Sequence, residues 1–195
     1  MIKDHLAVMD GLKNYGSPKA RLTRLLKAGE LFQIRRGLFV DDLSVPKCTL
    51  APLIYGPSYL SFQYALSFHG LIPERVARFT SASFKKNKDK VFHTRLGEYS
   101  YQYLPQNVYP YGIMSKTEKN MNFLIATPEK ALCDSVYKMT STVTVTDMNN
   151  LLLEDWRIER DDLLRLDLDF IFWIAPMYRR RSLVSLVEWF TKGGL

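Results

Sequence analysis

Several things are scarce in this chain of 195 residues, and each scarcity removes a class of protein. It has only two cysteines, Cys48 and Cys133. A pair so far apart builds no disulfide framework and reads as reduced, core-type cysteine in a cytoplasmic protein. Neither cysteine has a neighbouring Cys or His. The three histidines, His5, His69 and His93, are scattered, so no zinc-ligand spacing exists. No Walker-type glycine-rich loop occurs. No lysine has Asp or Glu two residues before it, which removes the acid–x–Lys triplet of metal-dependent nucleases. No run of about 18 apolar residues is present to span a membrane; the most apolar stretch, Phe170 to Ala175, stops at Pro176. No long apolar segment follows a basic start, so a signal peptide is not expected. Internal repeats and low-complexity tracts are also missing. The expectation is a protein that is no enzyme, holds no metal or cofactor, and has no membrane partner.

What the chain does have is a core and a basic balance. Hydrophobic residues make up 47% and aromatics 13%, enough to exclude a disordered chain. Lys and Arg number 27 against 20 acids, a net charge of +7, which favours a polyanionic partner through long-range steering. The cations gather in the first forty residues, at Lys85-Lys86-Asn87-Lys88, and at Arg179-Arg180-Arg181. Glu154 to Asp169 is acidic by contrast.

Ser17 to Val40 is the richest stretch. Ser17-Pro18 marks a helix start, with Ser able to cap and Pro suited to the first helical position. Leu22, Leu25 and Leu26 then share one face, and Lys19, Arg21, Arg24 and Lys27 spread over the opposite one. Gly29 is placed to end the helix in a left-handed cap. Leu31 to Ile34 and Leu38 to Val40 read as two short strands, with Arg35-Arg36-Gly37 at the turn. Leu12 to Val40 holds seven Lys/Arg and one acid, Glu30. A solvated helix face ordinarily mixes signs; this one does not. The layout is that of a winged helix-turn-helix, with a cationic helix and hairpin suited to a DNA groove flanked by phosphates. The plainer account is a Lys/Arg-rich solvated face.

Along the rest of the chain, Ile2 to Lys13 reads as a helix with Leu6, Met9 and Leu12 on one side, and Asn14-Tyr15-Gly16 as a turn. With so little chain before Ser17, the open side of this module must be covered by the rest of the protein. Asp41 to Lys47 is a domain boundary, giving an N-terminal module over residues 1–45 and an α+β domain over 46–195. Gly56-Pro57 is a turn, and Leu60 to His69 an aromatic-rich helix closed by Gly70. Arg78 to Ser81, Val91 to Thr94, Tyr99 to Leu104 and Phe123 to Ala126 read as strands, with a hairpin turn at Gly97. Thr127-Pro128-Glu129 starts a helix that runs to about Met139. Helices follow at Asp147 to Trp156, Asp161 to Leu166, Phe170 to Ile174 and Arg180 to Thr191, the last amphipathic through Leu183, Leu186, Val187 and Phe190.

Taken together, several segments resemble a known family. Gly16-Ser17-Pro18, Arg21-Leu22, Leu25-Leu26-Lys27-Ala28-Gly29-Glu30-Leu31 and Arg36-Gly37-Leu38-Phe39 resemble the N-terminal winged helix of the AbiEi-type antitoxins of type IV, abortive-infection toxin–antitoxin systems. Tyr59-Leu60-Ser61-Phe62, Ala65-Leu66 and His69-Gly70-Leu71-Ile72 look like the start of that family's second domain. Ala126-Thr127-Pro128-Glu129-Lys130-Ala131-Leu132-Cys133-Asp134 is similar to its central Pro-Glu-(Arg/Lys)-Ala-Leu-x-Asp helix. The family's first helix is shortened or lost here. The resemblance implies an α+β protein with a shortened winged helix-turn-helix packed on a mixed antitoxin domain. It implies a cytoplasmic repressor that binds inverted repeats in its own operator DNA. It also implies that the C-terminal domain counteracts a nucleotidyltransferase-type toxin without a stable complex. On that reading Lys19, Arg21 and Arg24 approach the major groove, Ser17 and Lys27 touch phosphate, and Arg35 and Arg36 lie on the backbone or reach the minor groove. The alternative is an interaction protein of the same fold that acts only through its C-terminal domain. A nucleic-acid-modifying enzyme is the third, and the missing nucleophile and metal patterns oppose it.

Other polar features have bland and functional readings. Lys85, Lys86 and Lys88 form either a solvated loop or a second nucleic-acid or partner surface. Glu129 reads as a helix-start acid favoured by the dipole, Asp134 as a hydrogen-bonding residue locking its helix to a neighbour, and His69 as a helix-end residue. Arg179 to Arg181 sit unfavourably at a helix start, which calls for an internal salt bridge, for example to Asp161-Asp162, or for a phosphate. Tyr99, Tyr101 and Tyr103 share one strand face and belong to the core rather than to a base-stacking platform.

Overall fold

The computed structural model describes residues 1–139 and 144–193, a mixed α+β structure with two sheets. The chain begins with β1 (Ile2–Asp4), α1 (His5–Gly11), α2 (Pro18–Ala28), β2 (Phe32–Arg35) and β3 (Leu38–Val40). The three strands form an antiparallel sheet in the order β1-β3-β2, with both Ile2 and Phe32 opposite Val40.

The first segment differs from the expected helix over Ile2 to Lys13. Its first three residues are strand, because β3 has a free edge whose backbone groups Ile2 to Asp4 satisfy. Asp4 then caps α1, its carboxylate accepting from the Ala7 N–H at 2.7 Å. The buried face of α1 agrees with the expected one at Met9, which is half-buried, and Leu12, but not at Leu6, whose place Val8 takes. Val8 and Leu12 are buried, whereas Leu6 is 77% exposed.

Successive side chains of a strand point to opposite faces, and this divides the small sheet's loyalties. Phe39 faces α1 and α2 and packs with Val8, Leu12, Leu31 and the three leucines Leu22, Leu25 and Leu26. Leu38 and Val40, with Ile34, face the other way and join the main core. The rest of the protein thus covers the open side of the N-terminal module.

A 3₁₀ turn (Lys47–Leu50), α3 (Ala51–Ile54), β4 (Ser58–Leu60) and α4 (Phe62–Phe68) follow. The expected helix from Leu60 therefore starts after a short strand. Then come β5 (Phe79–Ser83), β6 (Lys90–Thr94), β7 (Gly97–Tyr103), β8 (Ile113–Glu118) and β9 (Met121–Ala126). Six strands form a mixed sheet in the order β6-β7-β5-β4-β9-β8, parallel between β5 and β7 and between β4 and β9. Strand β8 was not legible as one: it is an edge strand of Ile-Met followed by polar residues, lacking a buried alternation. A two-residue turn at Lys119-Asn120, both at positive φ, pairs it with β9.

Tyr99 and Tyr101 are fully buried, as their strand position predicts, and their hydroxyls donate to Lys47 O (3.0 Å) and Ala51 O (2.7 Å). These two bonds pin the segment that leads out of the N-terminal sheet onto the large one. The C-terminal part is helical: α5 (Pro128–Tyr137), α6 (Val145–Asn149) running into a π-helical turn (Asn150–Asp155), α7 (Arg160–Leu164), α8 (Leu168–Ile174), a 3₁₀ turn (Ala175–Tyr178) and α9 (Arg181–Thr191). Thr127 caps α5 as its sequence predicts, accepting from the Lys130 N–H.

Candidate nucleic-acid interface

Helix α2 is built by local rules. Pro18 occupies its first turn, and Gly29 ends it at φ +71, with the Glu30 N–H returning to Leu25 O at 3.1 Å. Ser17 makes no side-chain cap bond, so the expected cap is absent and its hydroxyl stands exposed. The leucines turn inward, and Lys19, Arg24 and Lys27 are exposed.

Arg21 departs from the expected outward row. It is half-buried on the flank of the helix, with its guanidinium 5.3 Å from the centre of the Tyr15 ring. Its Nε is buried with no hydrogen-bond partner among the described residues. The reason is angular: position 21 lies about 100° from position 22, beside rather than behind the leucine stripe.

The hairpin tip is shaped by Gly37 at φ +82. Arg36 projects into solvent beside a groove between α2 and the hairpin, lined by Leu22, Leu26 and Gln33. Arg35 does something the sequence could not show. Its guanidinium lies 4.9 Å from the centre of the Phe92 ring on β6. Phe92 in turn contacts Tyr55 at 5.7 Å, and the Lys86 ammonium lies 5.0 Å from the Tyr55 ring. A cation–aromatic–aromatic–cation chain therefore joins the hairpin to the β5–β6 loop. Lys85 caps the neighbouring Phe84 ring at 5.3 Å, and Lys88 is exposed in the same loop. The two cationic segments that are far apart in sequence meet on one side of the molecule. Arg95, in the β6–β7 turn, lines a groove with Arg35 and Arg36; nothing local in the sequence ties that turn to the hairpin.

Carboxylates neutralise some of the described cations and leave others without an ion pair, on this face and also elsewhere, as at Lys47 and Arg75. Lys3, Arg78, Lys138, Arg157, Arg165 and Lys192 are each paired with a carboxylate, as is Lys13 with Asp10. Among the described residues no carboxylate pairs with Lys19, Arg21, Arg24, Lys27, Arg35, Arg36, Lys85, Lys86 or Lys88. The expected pairing of Arg179 to Arg181 with Asp161-Asp162 is not what forms. Arg180 instead donates to Met139 O at 2.8 Å and lies over the Tyr137 ring, so a backbone carbonyl at the end of α5 takes the charge.

The other polar constellation is interior. Lys130 and Asp134, one turn apart on α5, are both fully buried. Lys130 Nζ donates to Asp134 Oδ1 (2.5 Å) and Tyr178 Oη (2.7 Å); the Tyr178 hydroxyl donates to Asp134 Oδ1, and Ser61 Oγ donates to Asp134 Oδ2 at 2.6 Å. Burial and the Asp134 charge hold the Tyr178 and Tyr59 hydroxyls well above the usual tyrosine range. The network locks the start of α4 and the 3₁₀ turn that precedes α9 onto α5, the role expected of Asp134, and with every member buried it offers no approach to a substrate. Glu129 accepts from the Asp167 N–H at 3.2 Å, and His69 Nε2 lies 2.8 Å from Ala126 O at the end of α4. Cys48 and Cys133 are free and buried, with both thiols pushed up by desolvation. Among the described residues no helix is long and apolar enough to cross a membrane. Compared with known proteins, the chain matches no protein-family model and no curated protein.

Proposed function

We propose that this protein is a DNA-binding transcriptional repressor and antitoxin of the AbiE-like, type IV kind, autoregulating its operon and counteracting a nucleotidyltransferase-type toxin. The observation that carries the DNA half is the clustering of cations without a carboxylate partner on α2 and the hairpin, where Lys19, Arg24, Lys27, Arg35 and Arg36 are all exposed. Unpaired, exposed Lys and Arg on one face are what neutralising a phosphate backbone requires. The element order strand–helix–helix–strand–strand, with the first strand beside the last, suits a winged helix-turn-helix whose second helix is α2.

On this reading Lys19 and Arg24 approach base edges, Lys27, Arg36 and Ser17 meet phosphate, and Arg21 orients Tyr15 while keeping an unmet donor. Arg35 is held by Phe92, so it sets the angle of the hairpin and presents its guanidinium edge to the backbone. Lys85, Lys86 and Lys88 extend the same face. The antitoxin half rests on the sequence resemblance of the α4 and α5 segments. Co-expression of the full chain with the nucleotidyltransferase encoded beside it tests that half. Restored growth supports it, and unrelieved toxicity from a folded, expressed protein rejects it.

A further inference from the structure

A further cleft contains no residue of α2 or the hairpin. It has a volume of about 770 Å³ and opens between the segment leaving the N-terminal sheet, helix α4 and the β8–β9 turn. Its walls are largely apolar, with Val45, Val76 and Leu96 beside Tyr64 and Phe79, whose rings pack on each other with centres 4.9 Å apart, and Phe68 is exposed at the edge. Its rim carries Lys47, Arg75 and Lys119 against one acid, Glu118. Lys47 and Arg75 are exposed and have no ion-pair or hydrogen-bond partner among the described residues, while Lys119 is anchored to Ser44 O at 2.8 Å.

The floor is polar but neutral. The Cys48 thiol and Tyr64 hydroxyl are 2.9 Å apart, and burial keeps both protonated. It presents hydrogen-bonding groups without a negative charge to repel an anion. The size falls in the range of drug-sized sites, which are mostly apolar with a few placed polar groups. Apolar walls favour an apolar body, and two free cations at the rim favour an acidic group that stays near solvent.

From this geometry we infer that the cleft is a binding site for a small organic anion with an apolar body. The site does not depend on the DNA reading, since none of its lining residues belongs to α2 or the hairpin. The probe is 8-anilinonaphthalene-1-sulfonate, an aromatic sulfonate, titrated into the full chain by calorimetry and followed by amide chemical shifts. Saturable binding of one molecule is expected, with shifts confined to residues 43–48, 64–68, 75–79, 96–97 and 118–119. The pair K47E and R75E, both at exposed positions, should weaken binding by about tenfold or more. The pair K85E and K86E, on the other cationic surface, should leave it unchanged. The inference is overturned by non-saturable binding, by shifts centred elsewhere, by insensitivity to the rim charge reversal, or by equal weakening in both pairs.

Discussion

The Arg35 guanidinium lies 4.9 Å from the centre of the Phe92 ring, binding the hairpin of the N-terminal sheet to the edge strand of the large one. Through Tyr55 the same contact reaches Lys86. It makes the hairpin part of a larger surface rather than a free wing. Arg35 is exposed, so the stacking should contribute about 0.5–1 kcal/mol. In a double-mutant cycle of Arg35→Ala and Phe92→Ala, read by urea unfolding, a coupling of that size is expected. Additive effects would mean the contact contributes nothing to holding the hairpin.

The interior ion pair gives a sharper contrast. Asp134→Ala leaves Lys130 buried without its counter-charge, which should cost about 3–5 kcal/mol. Replacing both, as Lys130→Met with Asp134→Leu, removes the uncompensated charge and should recover part of that loss. Chemical denaturation of the two variants decides the matter. A double variant less stable than the single one would show that the pair's hydrogen bonds to Ser61 and Tyr178 matter more than its charge.

His69 supplies a pH dependence. Burial lowers its pKa below the ordinary 6.5, partly offset by the bond to Ala126 O. The unfolded chain therefore takes up this proton first as pH falls. The contribution is fully present above about pH 6.5 and is lost as pH drops through the lower folded value. The unaltered protein should lose stability between pH 7 and pH 5 more steeply than His69→Gln. Parallel curves would show that the ring's environment does not distinguish its two protonation states.

Removing residues 1–45 should not yield a well-folded remainder. That cut deletes Ile34, Leu38, Val40 and Val45, all buried in the main core. Each is worth about 1.5–3 kcal/mol of burial, a sum comparable to the whole stability of a domain. Thermal unfolding followed by circular dichroism should lose its cooperative transition. A sharp transition near that of the full chain would show that the large sheet is self-sufficient. Point variants in the full chain are therefore the sound way to separate DNA binding from neutralisation.

How much of this was legible in the sequence depends on the range of the interactions concerned. Helix α2, its Pro18 start and Gly29 stop, the β2–β3 hairpin and the Thr127 cap follow from rules acting over a few residues, and the structure has them. The core role of Tyr99 and Tyr101 followed from strand alternation. What stayed hidden depends on distant partners. Ile2 to Asp4 become strand only because β3 offers an edge. Arg35 finds Phe92, and Arg180 finds Met139 O, across separations that no spacing rule reports. Arg95 joins the candidate surface by the same kind of closure.

The most direct test of the DNA reading is the affinity of the full chain for its own upstream DNA and for a shuffled fragment, at two salt concentrations. The account predicts tighter binding to the native fragment. If Lys19, Arg24, Lys27 and Arg36 each displace a counterion, log affinity should fall against log salt with a slope of about −3.6. Arg24→Ala with Lys27→Ala should flatten that slope without unfolding the protein, since both side chains are exposed. Equal affinity for the two fragments, or a slope and affinity untouched by the substitutions, would contradict it.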